Sequence, residues 1–195
     1  LVFRTAFIVG HPGETDEEFD ELERQLHEKY VVNFSVFQST PDHWALVDVI
    51  GVVSSGHKKT GSTEGHALAP TSPLQAARVS DTERRFILCE QAIRQRDFGL
   101  LAEVIEQDAL MMHGVMMTSQ PPLMYWLPAS MAIMHAVQDL RASGVAVAFT
   151  IDAGPNIHCI CESAVAPQVE AMLNAIQGVK QVLSSQIGGP AMIVR

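Results

Sequence analysis

From Val145 to Asp152, the large apolar residues Val145, Val147, Phe149 and Ile151 alternate with Ala146, Ala148, Thr150 and Asp152. A period of two is the signature of a strand, because successive side chains point to opposite faces. One face must lie on a core; the other is lined by small residues and ends in a carboxylate. Ala153-Gly-Pro-Asn156 then turns the chain, and Ile157 to Cys161 reads as the returning strand. Whatever this chain folds into must cover the bulky face of that pair.

The neighbouring segments supply the cover. Ala45 to Ser54 is a strand rich in Val47, Val49, Ile50, Val52 and Val53, and Ser55 to Ser72 reads as a polar loop containing Gly56, Gly61 and Gly65. Ser80 and Glu83 cap a helix through about Arg94, and Asp97 opens another. In that second helix Phe98, Leu101, Ala102, Ile105, Ala109, Met112 and Met116 recur every three to four residues. A third helix begins near Pro128 and stops at Gly144, and a fourth spans Ser163 to Ile176 with Gly178 at its end. Val179 to Ile187 and Ala191 to Val194 form a last hairpin across Gly188-Gly-Pro190. Ahead of all this, Phe7-Ile-Val9 reads as a strand and Thr15 with Glu18 as a capping box. Phe19, Leu22, Leu26 and Tyr30 form one helical stripe, and Val31 to Phe37 a second strand. The order predicts an α+β fold: a mostly antiparallel sheet covered by helices on one face, over residues 43–195, with a βα(β) appendage over residues 1–42.

Composition narrows the function classes. With 195 residues the chain can bury about 70% of its unfolded surface, so its core needs no disulfides. No stretch approaches the roughly 20 apolar residues of a membrane span. Thirteen Lys and Arg stand against 22 Asp and Glu, a net charge of −9 without a basic run, which argues against nucleic acid as a partner. Cys89, Cys159 and Cys161 form no Cys-x-x-Cys pair, so no zinc ribbon or iron–sulfur cluster is spelled out. They read as buried small hydrophobes of a cytoplasmic protein. The eight histidines show no metal-ligand spacing, and His113 and His135 fall inside apolar helices as core or edge residues, so no metal site is expected.

Two segments carry chemistry. Ser54 to His66 combines Lys58 and Lys59 with Gly61, Gly65 and the hydroxyls of Ser62 and Thr63. These are the parts of a phosphate or carboxylate cradle, though not in Walker order; a solvated surface loop has the same composition. Thr150-Ile-Asp-Ala-Gly-Pro-Asn156 sets a carboxylate at a strand end, where Asp152 suits a base or orienter for a substrate hydroxyl. Turn chemistry alone would also select those residues.

Taken in order, Val52-Val-Ser-Ser55, Lys58-Lys59, Ser62-Thr-Glu-Gly65, Thr71-Ser72, Pro121-Pro-Leu-Met-Tyr125 after His113, and Thr150 to Asn156 resemble the C-terminal half of diphosphomevalonate decarboxylases. These belong to the GHMP kinase superfamily, whose C-terminal domain is ferredoxin-like. The resemblance covers about residues 43–195. It implies ATP-dependent decarboxylation of mevalonate 5-diphosphate to isopentenyl diphosphate, with ATP and magnesium as cofactors and a phosphorylated small molecule as substrate. It implies that Asp152 faces the tertiary hydroxyl, that Ser62, Thr63 and His66 line the substrate pocket, and that Gly154 and Asn156 belong to the same site. His66 stands where many members carry methionine, and Asp108-Ala-Leu110 replaces the more usual Asp-Ser-Asn. A phosphomevalonate decarboxylase acting on the monophosphate therefore stays open. The family's nucleotide loop, active-site lysine and carboxylate-binding arginine belong to its N-terminal half and are not found in these 195 residues. Phosphoryl transfer depends on such donors, so little catalysis is expected from this stretch alone.

Residues about 3–40 resemble something else. Arg4-Thr-Ala-Phe-Ile-Val-Gly-His-Pro-Gly-Glu-Thr15 and its acidic helix are similar to a barrel fragment of radical S-adenosylmethionine methylthiotransferases. The cluster-binding Cys-x3-Cys-x2-Cys is absent, so no iron–sulfur cluster is expected. A fusion of two unrelated pieces accounts for both resemblances. A non-catalytic remnant domain that pairs through a bared face, as a homodimer or with another partner, is the third reading.

Overall fold

Three hydrogen-bonded strand pairs, all antiparallel, build a four-stranded sheet in the order β2-β3-β1-β4. The strands are β1 (Leu46–Val52), β2 (Val147–Thr150), β3 (Ile157–Glu162) and β4 (Gln181–Gln186). The computed structural model describes residues 44–54 and 62–186, the first three of the latter as backbone. The readings for residues 1–43, for Lys58, Lys59 and Gly61, and for the strand Ala191 to Val194 lie outside the described residues. Six α-helices accompany the strands among those described. They are α1 (Ser62–Leu68), α2 (Gln75–Ser80), α3 (Thr82–Gln95), α4 (Phe98–Met117), α5 (Pro128–Ala142) and α6 (Ala166–Ala175).

The alternation read from the sequence sets the register. Val147 pairs with Cys161 and Phe149 with Cys159; Val47 pairs with Cys161 and Val49 with Cys159 on the other side of β3. These residues, with Ile151 and Ile157, share one face and are buried with Ile133, Val137, Val169 and Leu173 of α5 and α6. A fully buried side chain of this size contributes roughly 1.5–3 kcal/mol, so this layer carries the fold. Cys159 and Cys161 are free thiols inside it, and burial pushes the Cys161 thiol up to about 12. They pack as small apolar groups. At Gly51 of β1, α5 and α6 press on the sheet: a Cβ there would stand 2.9 Å from Ile133 Cδ1 and 3.1 Å from Leu173 Cδ2.

Helix α4 runs beside the edge strand β2. The outward-pointing Phe149 N–H donates to Glu106 Oε1 at 3.1 Å, and Arg141 Nη1 donates to the Val147 carbonyl at 3.0 Å. Arg141 Nη2 also donates to Glu106 Oε2 at 2.8 Å. The ion pair thus offers one acceptor and one donor, as a neighbouring strand would. Glu106 sits among Ala102, Ile105 and Ala109 on the buried side of α4, where a charge needs this pairing.

Two local expectations are corrected. The stretch expected as a loop from Ser55 to Ser72 contains α1 and a 3-10 turn, Ala69–Thr71. Tertiary packing drives it: Ala69 is buried against Val115 and Met116 of α4. Ser80 does not cap α3. Its hydroxyl donates back to Ala77 O, ending α2, while Asp81 occupies the cap position and pairs with Arg84 and Arg85 instead. At α4 the expectation holds, since Asp97 Oδ1 accepts the Leu100 N–H at 2.9 Å. No helix among the described residues is long and apolar enough to cross a membrane.

Candidate active site

The seven residues from Thr150 to Asn156 leave β2, turn and enter β3. Asp152 is exposed at the apex, and the Gly154 N–H donates to the Asp152 carbonyl at 2.7 Å to close a tight turn. Three other elements hold this loop. His113 of α4 donates from Nε2 to the Ile151 carbonyl at 3.3 Å; a carbonyl only accepts, so Nε2 carries the proton. Ser130, buried in the first turn of α5, donates to the Pro155 carbonyl at 2.6 Å and accepts the Leu127 N–H at 3.2 Å. Asn156 Oδ1 accepts the N–H groups of Val53 at 2.9 Å and Ser54 at 3.0 Å, tying the end of β1 to the start of β3.

His113 is buried and stands beside two aromatic rings. Its ring lies 5.9 Å from that of Tyr125, nearly perpendicular at 83°, and 5.1 Å from that of Trp126. Burial drives its pKa down to about 4, against the opposing pull of the Ile151 and Asp152 backbone and the Asp152 charge. At neutral pH the ring is an uncharged donor to a peptide carbonyl.

Helix α1 meets the same cluster. Gly65 lies so close to Tyr125 that a Cβ would fall 2.8 Å from its hydroxyl oxygen and 3.5 Å from Met116 Sδ. Gly65, Tyr125, His113 and the Ile151 peptide are therefore linked in series, and α1 and the Asp152 loop share one aromatic support. His66 is exposed on α1, Gly154 is buried in the turn, and Asn156 is engaged with the backbone of β1. Ser62 and Thr63 open α1; their side chains lie outside the described residues. Sequence reasoning placed His113 in a helix core and gave Ser130 no role. A serine two residues after Pro128, inside an apolar helix, is the one signal that pointed to it.

Other polar groups stand elsewhere. On β1 and β3, His158 Nδ1 pairs with Asp48 Oδ2 at 2.8 Å, and that carboxylate raises the His158 pKa. A cavity of about 710 Å³ lined by Leu74, Ala77, Arg78, Leu110, Met111 and Gly114 contains none of the expected site residues. Among the described residues no cluster of three His, Cys, Asp or Glu side chains could hold a metal ion.

This frame is shared with proteins of known kind. Residues 48–192 match the family model described as mevalonate 5-diphosphate decarboxylase C-terminal domain. Diphosphomevalonate decarboxylase of Candida albicans is 37% identical over 118 residues, which are 59% of this chain and 33% of that protein. The crystal structure of mevalonate diphosphate decarboxylase from Staphylococcus aureus superposes with a TM-score of 0.70 at 29% identity, covering 74% of this chain and 44% of that one. MDDEF in complex with MVAPP, AMPPCP and magnesium gives 0.67 at 28% identity, covering 74% and 44%. The chain spans about a third of the length of the curated relatives it matches in Candida albicans, Aspergillus fumigatus and Homo sapiens. With the four-stranded antiparallel sheet, the turn at Asp152 and the match across residues 48–192 in agreement, this chain belongs to the mevalonate 5-diphosphate decarboxylase C-terminal domain family.

Proposed function

We propose that this domain contributes the acid–base carboxylate of an ATP-dependent decarboxylase acting on mevalonate 5-diphosphate in the cytoplasm. The observation that carries the reading is Asp152: an exposed carboxylate at the apex of a loop whose backbone is bonded to α4 and α5 and whose Asn156 side chain is bonded to the end of β1. Asp152 orients the substrate's tertiary hydroxyl and accepts its proton as the terminal phosphoryl group of ATP is transferred to that oxygen. Departure of phosphate, with loss of carbon dioxide from the neighbouring carbon, leaves the double bond of isopentenyl diphosphate. ADP, phosphate and carbon dioxide are the other products. The described residues supply no magnesium cage. The nucleotide and its metal are assigned to groups outside them, and the chemistry given to this domain is that of Asp152. Three free thiols suit a reducing compartment.

The test joins residues 43–195 behind the N-terminal two thirds of a relative and changes Asp152 to Asn or Ala. A positioned acid–base group is worth about 10²–10⁴ in rate. kcat is expected to fall at least ~100-fold, with the thermal midpoint unchanged. An Asp152→Asn enzyme that keeps more than about a tenth of the parent kcat reduces Asp152 to a turn residue.

A further inference from the structure

An exposed carboxylate at the end of a strand is useful only if the peptide that carries it is fixed. The β2 ladder ends at Thr150, so the sheet does not hold the carbonyl of Ile151 or the peptide joining it to Asp152. The group that bonds Ile151 O is His113 Nε2, a clamp from another element, whereas the bond to Asp152 O comes from Gly154 within the turn itself. The imidazole is itself fixed, because it is 1% exposed and flanked by Tyr125 and Trp126. Ser130 holds the far side of the turn at Pro155 O, and Asn156 holds its exit.

We propose that His113 is a positioning residue: its Nε2–H fixes the Ile151–Asp152 peptide and so sets the direction in which the Asp152 carboxylate leaves the backbone. The proposal rests on the reading of Asp152 as the acid–base group. It assigns to a buried helix residue control over the aim of that group. Misplacement by about 1 Å can cost on the order of 10² in rate, so a single peptide hydrogen bond can matter at this position. Groups that orient reacting groups act through their own locked geometry, and a ring set against two aromatic side chains provides it.

The test separates the hydrogen bond from the packing. His113→Phe keeps an aromatic ring but has no donor; His113→Gln returns an N–H at similar reach. In the joined enzyme, His113→Phe is expected to lower kcat about 10-fold or more with KM changed less than about two-fold, and His113→Gln to recover most of the loss. In the 195-residue chain, the Gly154 amide, bonded to Asp152 O, is expected to exchange its hydrogen at least ~10-fold faster in His113→Phe and near the parent rate in His113→Gln. The β1 amides should be unchanged in both. Should the phenylalanine variant not fold, His113→Met, apolar and adaptable, takes its place. The proposal is overturned by parent-like Gly154 exchange without the donor, or by equal damage in the donor-free and glutamine variants. If the joined enzyme is inactive with every side chain intact, or Asp152→Asn leaves it active, the proposed function fails instead. The exchange measurement still decides the role of His113.

Discussion

Acid should unfold this domain through one buried ring before most carboxylates titrate. His113 has its pKa lowered to about 4 in the folded chain by burial, whereas an unfolded histidine titrates near 6.5. The unfolded state therefore binds more protons between these values. The stabilising contribution of the neutral ring is complete above about pH 6.5 and is lost as the pH falls towards 4. One pKa unit is worth about 1.4 kcal/mol, so the loss reaches about 2 kcal/mol at pH 5 and about 3 kcal/mol at pH 4. That is a substantial share of the 5–15 kcal/mol typical of a domain. His158 has the opposite sign: Asp48 raises its pKa, so its contribution is full below about 6.5 and fades only at higher pH. Asp81, held near about 2 by its hydrogen bond to Arg84, responds only below its ordinary value of 3.8. The window from pH 6.5 to 4 thus isolates His113 among the shifted groups. Urea unfolding of the parent and of His113→Gln at half-unit intervals across that window provides the assay. From pH 7 to pH 5 the parent should lose about 2 kcal/mol relative to His113→Gln. Parallel curves would refute the burial of a neutral ring.

Three further outcomes are expected. Glu106→Ala leaves the buried Phe149 N–H without an acceptor and frees Arg141, a loss of about 2–4 kcal/mol by chemical denaturation. Glu106→Gln keeps the acceptor and should lose less. Gly51→Ala forces Ile133 and Leu173 away from β1 and should cost about 1–3 kcal/mol, with the fold retained in the far-ultraviolet spectrum. Asn156→Ala should lower stability by about 1–3 kcal/mol by removing one acceptor shared by two backbone donors, while Asn156→Asp keeps the acceptor and most of the stability. In the joined enzyme, a lower kcat for Asn156→Asp at parent stability would argue that Asn156 also meets the substrate.

The strands were readable because alternation records burial directly: Val147, Phe149 and Ile151 face the core that their spacing predicted. So were α4 and α5, marked by Asp97, Pro128 and the apolar stripe between Phe98 and Met116. Helix α1 was hidden because its Ser, Thr, Gly and His residues have loop composition. What makes it a helix here is tertiary: Gly65 seated on Tyr125 and, just beyond, Ala69 on Val115 and Met116. The turn at Asp152 could be read, but its supports could not. His113 lies 38 residues before Ile151, and Asn156 reaches Val53 across 103 residues, separations at which periodicity carries no information. Glu106 left a faint trace, an acid among Ala102, Ile105 and Ala109 that had to find a partner.

The Glu106–Arg141 pair also decides where the sheet stops. A strand whose outer N–H and C=O groups are unmet is a template for a further chain, and β2 is an edge. Here the template is occupied at Val147 and Phe149 by two side chains that present the hydrogen-bonding pattern of a neighbour without being one. Such a seal, unlike a real strand, has no free far side and so passes no pairing onward. Because α4 still covers this stretch of β2, a chain lacking Glu106 would keep its core face and hold the Phe149 N–H buried without a partner, closed to any second chain. The cost in that variant falls on its own stability and not on its association, so light scattering should match the parent's while the molecules remain folded.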